Sequence, residues 1–341
     1  MSDIGEQVRW GILGTAGIAE SAFLPALRET REGVAVSVGS RDQERGQRWA
    51  AEQGVDRAVR GYDAVIADPD VEAVYIPLPN GMHAEWTIAA LEAGKTVFCE
   101  KPLCGTVEDT ERVLAAARAA SGHLWEAFVF PFHEQMDRVR DLLANGTIGE
   151  VREIQSRFHF ILDDPDNIRL FANLAGGSIQ DVGCYPIRLA RLLFDDEPDL
   201  SRTIADAEWT ADGADTELWG ALVFPGGRRL VFSCGFRSGD DTLTRVLGTE
   251  GEIRMTGPFH PDPDDELLIL RNDEIDRQPG ATSGQMSFTP AIRHIHRVVR
   301  GFEEPRHLAV DEAMGNAEAI AALLDAARSA ATSRGDQTTT L

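Results

Sequence analysis

VRWGILGTAGIA, residues 8–19, is the stretch on which the fold turns. Val8 to Gly14 is an apolar run of strand length, and from Ile18 the segment IAESAFLPALRE places Ile18, Phe23, Ala26 and Leu27 at helical spacing, with Pro25 positioned to kink it. Between the two lies a glycine turn. Gly11 and Gly14 sit at the end of the strand, and Gly14-x-Ala16-x-x-Ala19 occupies the frame of the dinucleotide-binding fingerprint. Ala16 stands where the usual second glycine lets backbone approach a pyrophosphate, and Gly17 beside it keeps some of that freedom. A strand, a tight turn and a helix N-terminus in this order form an anion site, because unpaired N–H groups and the positive end of the helix point at the ligand.

The same alternation continues outward. A strand over Val34 to Gly39 leads into a helix from Asp42 to Gln53, the apolar run Ala73 to Ile76 precedes a helix from His83 to Ala93, and TVFCEKP makes a further strand ending in a turn. A helix over Val107 to Ala119 and a strand over Leu124 to Phe130 complete a β/α rhythm that calls for a parallel doubly wound sheet. After about residue 131 the rhythm changes. Long strand candidates (VREIQSRFHFIL, TELWGALVF, RRLVFSCGF, TRVLGT, ELLILR) are separated by Gly, Asp and Pro turns, with helices at Met136 to Ala144, Ser178 to Phe194, Ala291 to Arg300 and Asp311 to Ala327. The expected architecture is an α/β Rossmann domain over residues 1–124 and an α+β domain with an open, mainly antiparallel sheet over 125–341, with disordered tails at MSDIGEQ and SRGDQTTTL.

Composition narrows the partners. Of 341 residues, 33 are Lys or Arg against 56 Asp or Glu, a formal charge of −23 that repels phosphate backbones and anionic lipid, so neither nucleic acid nor membrane is expected. The cations are 31 arginines and two lysines, Lys95 and Lys101, a bias that fits a salt-adapted proteome or a GC-rich genome equally. No apolar run reaches the roughly 18 residues of a membrane helix, and the polar start reads as a cytoplasmic chain without a signal peptide. Cys99, Cys104, Cys184 and Cys234 show no C-x-x-C pairing and read as reduced packing thiols. His294 and His296 are two apart on a helix and His260 lies in a Pro/Asp loop, so no metal site with ligand spacing is read.

The end of the second strand selects the dinucleotide. NAD sites offer an acid to the ribose 2′-hydroxyl, whereas this chain offers Ser40 and Arg41, with Arg45 one helical turn on. Guanidinium groups pair with a 2′-phosphate, so NADP is expected before NAD; the alternative is a Ser40–Gln43 capping box with solvated arginines. Further on, CEKPL puts Glu100, Lys101 and Pro102 at the carboxyl end of a strand, the edge where open α/β sheets bind ligands. Asp181-x-x-x-Tyr185 has the spacing that sets a carboxylate and a phenol on one helix face.

GILGTAGIA, the SRD after the second strand, PLPNGMHAEW, CEKPL and GGSIQDVGCYP together resemble the Gfo/Idh/MocA oxidoreductase family, in the branch of NADP-dependent D-xylose dehydrogenase, dihydrodiol dehydrogenase and glucose-fructose oxidoreductase. The resemblance implies hydride transfer between NADP and a cyclic sugar or polyol, an aldose such as D-xylose or a related dihydrodiol, in a homodimer or homotetramer formed through the free sheet face. It places Lys101 beside the nicotinamide and the substrate hydroxyl, Glu100 and Pro102 in the cofactor pocket, and Pro77, Asn80 and His83 on the loop that flanks the cofactor ribose and nicotinamide. Tyr185 is the expected base: a phenol of pKa about 10 is a poor base at neutral pH, but a nearby ammonium such as that of Lys101 stabilises the phenolate. Asp181 is expected to hold a neighbouring hydroxyl, and Arg169 and His133 to border the substrate, although Pro131 replaces the arginine common before that histidine and a lone Arg169 reads equally as a salt-bridge residue. Two other readings stay open: a glycosidase or group-transfer enzyme using the dinucleotide transiently, and a non-catalytic NADP-binding sensor.

Overall fold

The computed structural model describes residues 6–337. The chain divides into two compact units, Met1–His133 with Gln285–Met314, and Glu134–Gly284 with Gly315–Leu341. It thus re-enters the first unit after residue 284, whereas the sequence reading drew one boundary at 124/125. Among the described residues no helix is long and apolar enough to cross a membrane.

The first unit is built on β1 (Val8–Leu13), β2 (Gly33–Ser40), β3 (Arg57–Arg60), β4 (Ala73–Ile76), β5 (Thr96–Cys99) and β6 (Leu124–Glu126), all parallel and ordered β3-β2-β1-β4-β5-β6. AVYI in β4 and TVFC in β5 bury every residue, as a parallel sheet covered on both faces requires. The alternation of β1 assigns its side chains to two cores. Trp10 and Ile12 join Phe23, Tyr75, Phe98 and Trp125, while Leu13 joins Val65, Val74 and Val97. Gly11 falls on the second side, where an added Cβ would lie 2.4 Å from Val65 Cγ1, so its missing side chain is what lets α3 (Asp63–Ile66) close on the sheet.

The first helix departs from expectation. Residues Ala19–Phe23 form a wide π turn and α1 (Leu24–Thr30) begins after it. Pro25 therefore follows closely on the π turn, within a stretch that is helical without interruption from Gly17 to Thr30. Next come α2 (Gln43–Gln53), α4 (His83–Glu92) and α5 (Val107–Ala119). The returning α8 (Thr289–Val299) contributes Ala291, Ile292, Ile295 and Val298 to the core that holds Trp10.

In the second unit, α6 (Glu134–Ala144) leads to an eight-stranded sheet of β7 (Val151–His159), β8 (Ile204–Trp209), β9 (Asp215–Val223), β10 (Arg229–Gly235), β11 (Asp241–Gly248), β12 (Glu252–Met255), β13 (Glu266–Arg271) and β14 (Glu274–Pro279). Its order is β14-β13-β12-β11-β7-β10-β9-β8, and only the β7–β10 pair is parallel. The helix expected over Ser178 to Phe194 opens as a second π turn, Ile179–Gly183, before α7 (Cys184–Phe194). The last helix, α9, spans Ala309–Gln337, so the tail expected from Ser333 is helical as far as it is described; residues 1–5 and 338–341 lie outside the described residues.

Candidate active site

Loops at the carboxyl ends of β1, β2, β3 and β4 enclose a cleft of ≈ 210 Å³, where the strand order reverses between β1 and β4. Gly14 makes the first turn possible: its φ of 95° is a conformation side chains rarely adopt, and its N–H donates to Gly39 O at 2.8 Å. Thr15 and Ala16 continue the wall, Ser40, Arg41, Asp42 and Arg45 form the second side, and Tyr62, Pro77, Leu78 and Pro79 the third. Ala16 is accommodated in this wall, and an added Cβ at Gly17 would meet nothing within 4 Å. Ile18, 40% exposed, leads into the π turn.

The charge on this wall is organised by a helix cap. Asp42 is the N-cap of α2 and accepts the Arg45 N–H at 3.0 Å, a bond that holds its carboxyl below the usual carboxylate range. The Ser40–Gln43 capping box does not form: Ser40 Oγ accepts the Asp42 N–H at 3.2 Å and Gln43 donates to Ala58 O. The acid nearest the cleft is thereby committed to the helix terminus, and the wall shows two guanidinium groups. That of Arg45 reaches back to the glycine turn, donating from Nη2 to Thr15 O at 3.4 Å. A glycine turn at a helix start facing two arginines suits a ligand with a pyrophosphate and one further phosphate.

Gly11 does not reach this wall; it serves packing, as described. His83 is corrected in the same sense. It is fully buried, with Pro102 O 2.9 Å from Nδ1 and Leu78 O 2.7 Å from Nε2, so it clamps the loop after β4 to the Glu100-Lys101-Pro102 turn instead of facing the cleft. Burial pushes its pKa down, against the pull of the two carbonyls, and the nearby Lys101 charge adds to that lowering. Asn80 opens the short turn Asn80–Met82 just before it. Glu100 is buried and accepts the Tyr75 hydroxyl at 2.6 Å, its N–H donating to Ile76 O, while the half-buried Lys101 follows at the sheet's carboxyl edge. His133 is 2% exposed, after the turn Phe130–Phe132 in which Pro131 sits at a helical start that needs no N–H.

The second unit gathers another group of side chains. Asp181, on the π turn, accepts Arg169 Nε at 2.6 Å, so two residues read separately from the sequence form one ion pair. Tyr185 opens α7 four residues later; it is 4% exposed and its hydroxyl lies 3.2 Å from His260 Nε2. Sequence reasoning set His260 aside as a loop histidine, because the contact joins residues 75 apart and nothing local announces it. Tyr62, Thr15 and Leu78 were likewise not anticipated as cleft residues, being ordinary turn and core types.

Comparison with known proteins follows the same division. Residues 8–128 match the family described as GFO_IDH_MocA oxidoreductases, NAD-binding Rossmann fold, and residues 136–254 match its C-terminal domain. A dTDP-3,4-didehydro-2,6-dideoxy-alpha-D-glucose 3-reductase from Saccharopolyspora spinosa is 45% identical over 263 residues, covering 77% of this chain and 78% of that protein. D-xylose 1-dehydrogenase (NADP(+)) 2 from Haloferax volcanii is 40% identical over 256 residues, 74% of this chain and 77% of its own. Among solved structures, a 3-ketoreductase from Actinomadura kijaniata in complex with NADP and TDP-benzene matches with a TM-score of 0.84 and 30% identity, over 95% of this chain and 98% of that one. Further structures of that ketoreductase carry a single replaced lysine or a single replaced tyrosine, and these two stand at the same sequence separation as Lys101 and Tyr185 here.

Proposed function

The chain belongs to the GFO/IDH/MocA oxidoreductase family, and from that premise we propose that it uses NADP to oxidise a hydroxyl-bearing carbon of a cyclic sugar or polyol, an aldose or a dihydrodiol, or to reduce the matching carbonyl. The observation that carries this reading is the cleft at the β1/β4 crossing, where Gly14, Thr15 and Ala16 face Arg41 and Arg45.

Bound there, NADP supplies or accepts the hydride. The chain's own residues do the rest. The turn N–H groups hold the pyrophosphate, and the two guanidinium groups take the 2′-phosphate that NAD lacks. Glu100, fixed by Tyr75, and Pro102, tied to His83, set the course of the backbone through Lys101. We assign Lys101 and Tyr185 to the proton transfer at the reacting oxygen, the ammonium favouring the ionised phenol and the phenol oxygen taking or giving the proton. The matching separation of the lysine and tyrosine replaced in the Actinomadura enzyme supports this pairing. Asp181 holds an adjacent substrate hydroxyl, with its carboxylate oriented by Arg169.

The 45% identity to a dTDP-sugar 3-reductase favours a second reading, in which the substrate is a nucleotide-linked keto sugar reduced by the same residues. One assay separates the two. Absorbance of the reduced nicotinamide is followed with NADP and with NAD against pentoses, hexoses, inositols and dihydrodiols, and against a dTDP-linked keto sugar. Turnover only with the nucleotide-linked compound replaces the first reading by the second, and no turnover with any compound ends both.

We also propose a homodimer through the open face of the second sheet. Ile204, Ala221 and Val231 are register partners across β8, β9 and β10, and Trp219 lies two residues from Ala221 on the same face. Ile204 is 58%, Trp219 55% and Val231 40% exposed, an apolar strip of the kind that marks a protein contact.

A further inference from the structure

Tyr185 presents a problem that its surroundings answer. Its ring is 4% exposed and packed on Phe158 and Phe259, with centroids 5.5 and 5.1 Å away, so a proton taken up by its oxygen is shielded from bulk water on those sides. Within the second unit that oxygen lies 3.2 Å from His260 Nε2, and His260 itself is exposed. The two rings meet edge to face at 71°, with centroids 5.6 Å apart. The loop presenting His260 is held on either side: Phe259 is 1% exposed, Gly257 O accepts the Gln135 amide at 3.0 Å, and the Asp262 N–H donates to Asp265 at 3.1 Å. Prolines at 258 and 261 further restrict its backbone.

We propose that His260 is a positioning residue that orients the Tyr185 hydroxyl and relays its proton to water. The proposal rests on the function read above. In the oxidising direction the substrate hydroxyl gives its proton to the Tyr185 oxygen while the hydride pair leaves the same carbon for the nicotinamide. The phenol proton passes to His260 Nε2, and the proton on Nδ1 leaves to solvent, so one proton is released per carbonyl formed. Reduction runs the same path inward. Imidazole suits this task because its two nitrogens accept on one side and donate on the other near neutral pH.

The test uses the full chain with NADP and whichever substrate of the assay panel turns over. His260→Gln keeps a hydrogen-bonding side chain of similar reach that cannot relay a proton; its kcat is expected to fall about tenfold or more with KM changed less than about twofold, the pattern of a group acting in the chemical step. Imidazole added to the buffer restores turnover to His260→Ala and not to Tyr185→Phe. Independently of turnover, the 15N resonance of His260 Nε2, assigned by its loss in His260→Gln, shifts in Tyr185→Phe because the contact is gone. Full kcat in His260→Gln, or an Nε2 resonance indifferent to Tyr185→Phe, overturns the relay while leaving the function standing. A wild-type chain inactive on the whole panel overturns the function and the relay with it.

Discussion

The indole N–H of Trp10 donates to Nε2 of His296 at 2.9 Å, joining β1 to α8 inside the core of the first unit. The acceptor must be an unprotonated nitrogen, and burial, aided by the charges of Arg300 and Arg293, pushes the pKa of His296 down to about 3.

A pH dependence of stability follows. An unfolded histidine takes up its proton near 6.5 and this buried one does not, so below that pH the unfolded chain binds more protons and stability falls with pH down to about 3. The slope from this one group is about 1.4 kcal/mol per pH unit. His83 and His294, both lowered by burial, act in the same direction. Denaturant midpoints at pH 7.5 and pH 5 measure it, and a His296→Gln variant, whose amide oxygen still accepts from Trp10, should show a shallower slope. Equal slopes in the two proteins would refute the assignment.

Arg41→Ala combined with Arg45→Ala should weaken NADP binding at least about tenfold, the loss of charge-assisted bonds to a phosphate, while leaving NAD binding within about twofold. Titrating each nucleotide against intrinsic fluorescence decides it. A wild type that prefers NAD tenfold removes the 2′-phosphate reading altogether.

Lys101→Met should lower kcat by about 10² or more in a chain that still folds, because an ammonium in the proton transfer acts in the chemical step. Turnover within a few-fold of wild type would take Lys101 out of the reaction.

Gly11→Ala separates packing from cofactor contact. The new methyl would lie 2.4 Å from Val65 Cγ1, so stability should drop by about 1–3 kcal/mol, the cost of overpacking. NADP affinity measured well below the melting temperature should stay near wild type; a large loss of affinity at unchanged stability would return Gly11 to the cofactor site.

Trp219→Glu places a charge in the middle of the apolar strip on β9 and should shift the protein from dimer to monomer in light scattering. An unchanged mass in solution for the variant, or a monomeric wild type, rejects that face as the contact.

Much of this was legible in the chain because the signals are local. A short apolar run followed by glycines fixes β1 and its turn, and the burial of AVYI and TVFC on both faces is written in their composition. Arg41 and Arg45 were readable as cleft residues because a strand end and one helical turn place them. What escaped was either too weak or too distant. β3 is four residues with polar ends, and β14 is nearly all exposed, so neither carries an apolar pattern, although the Asn272–Asp273 turn before it, with φ of 50° and 63°, is the two-residue hairpin signal that could have found it. The π turns at 19–23 and 179–183 leave no mark on an apolar periodicity read at helical spacing. His83 looked like a ligand because its clamp to Pro102 is decided by tertiary packing, and His260 looked idle for the same reason.

The return of residues 285–314 to the parallel sheet also governs when that sheet is finished during synthesis. A ribosome that has delivered every strand of the Rossmann half has not yet delivered Phe288, Ile292, Ile295 or the acceptor for Trp10, so one side of that layer stays wet until α8 emerges. Nascent chains stalled before α8 are therefore the forms most exposed to chaperones and proteases.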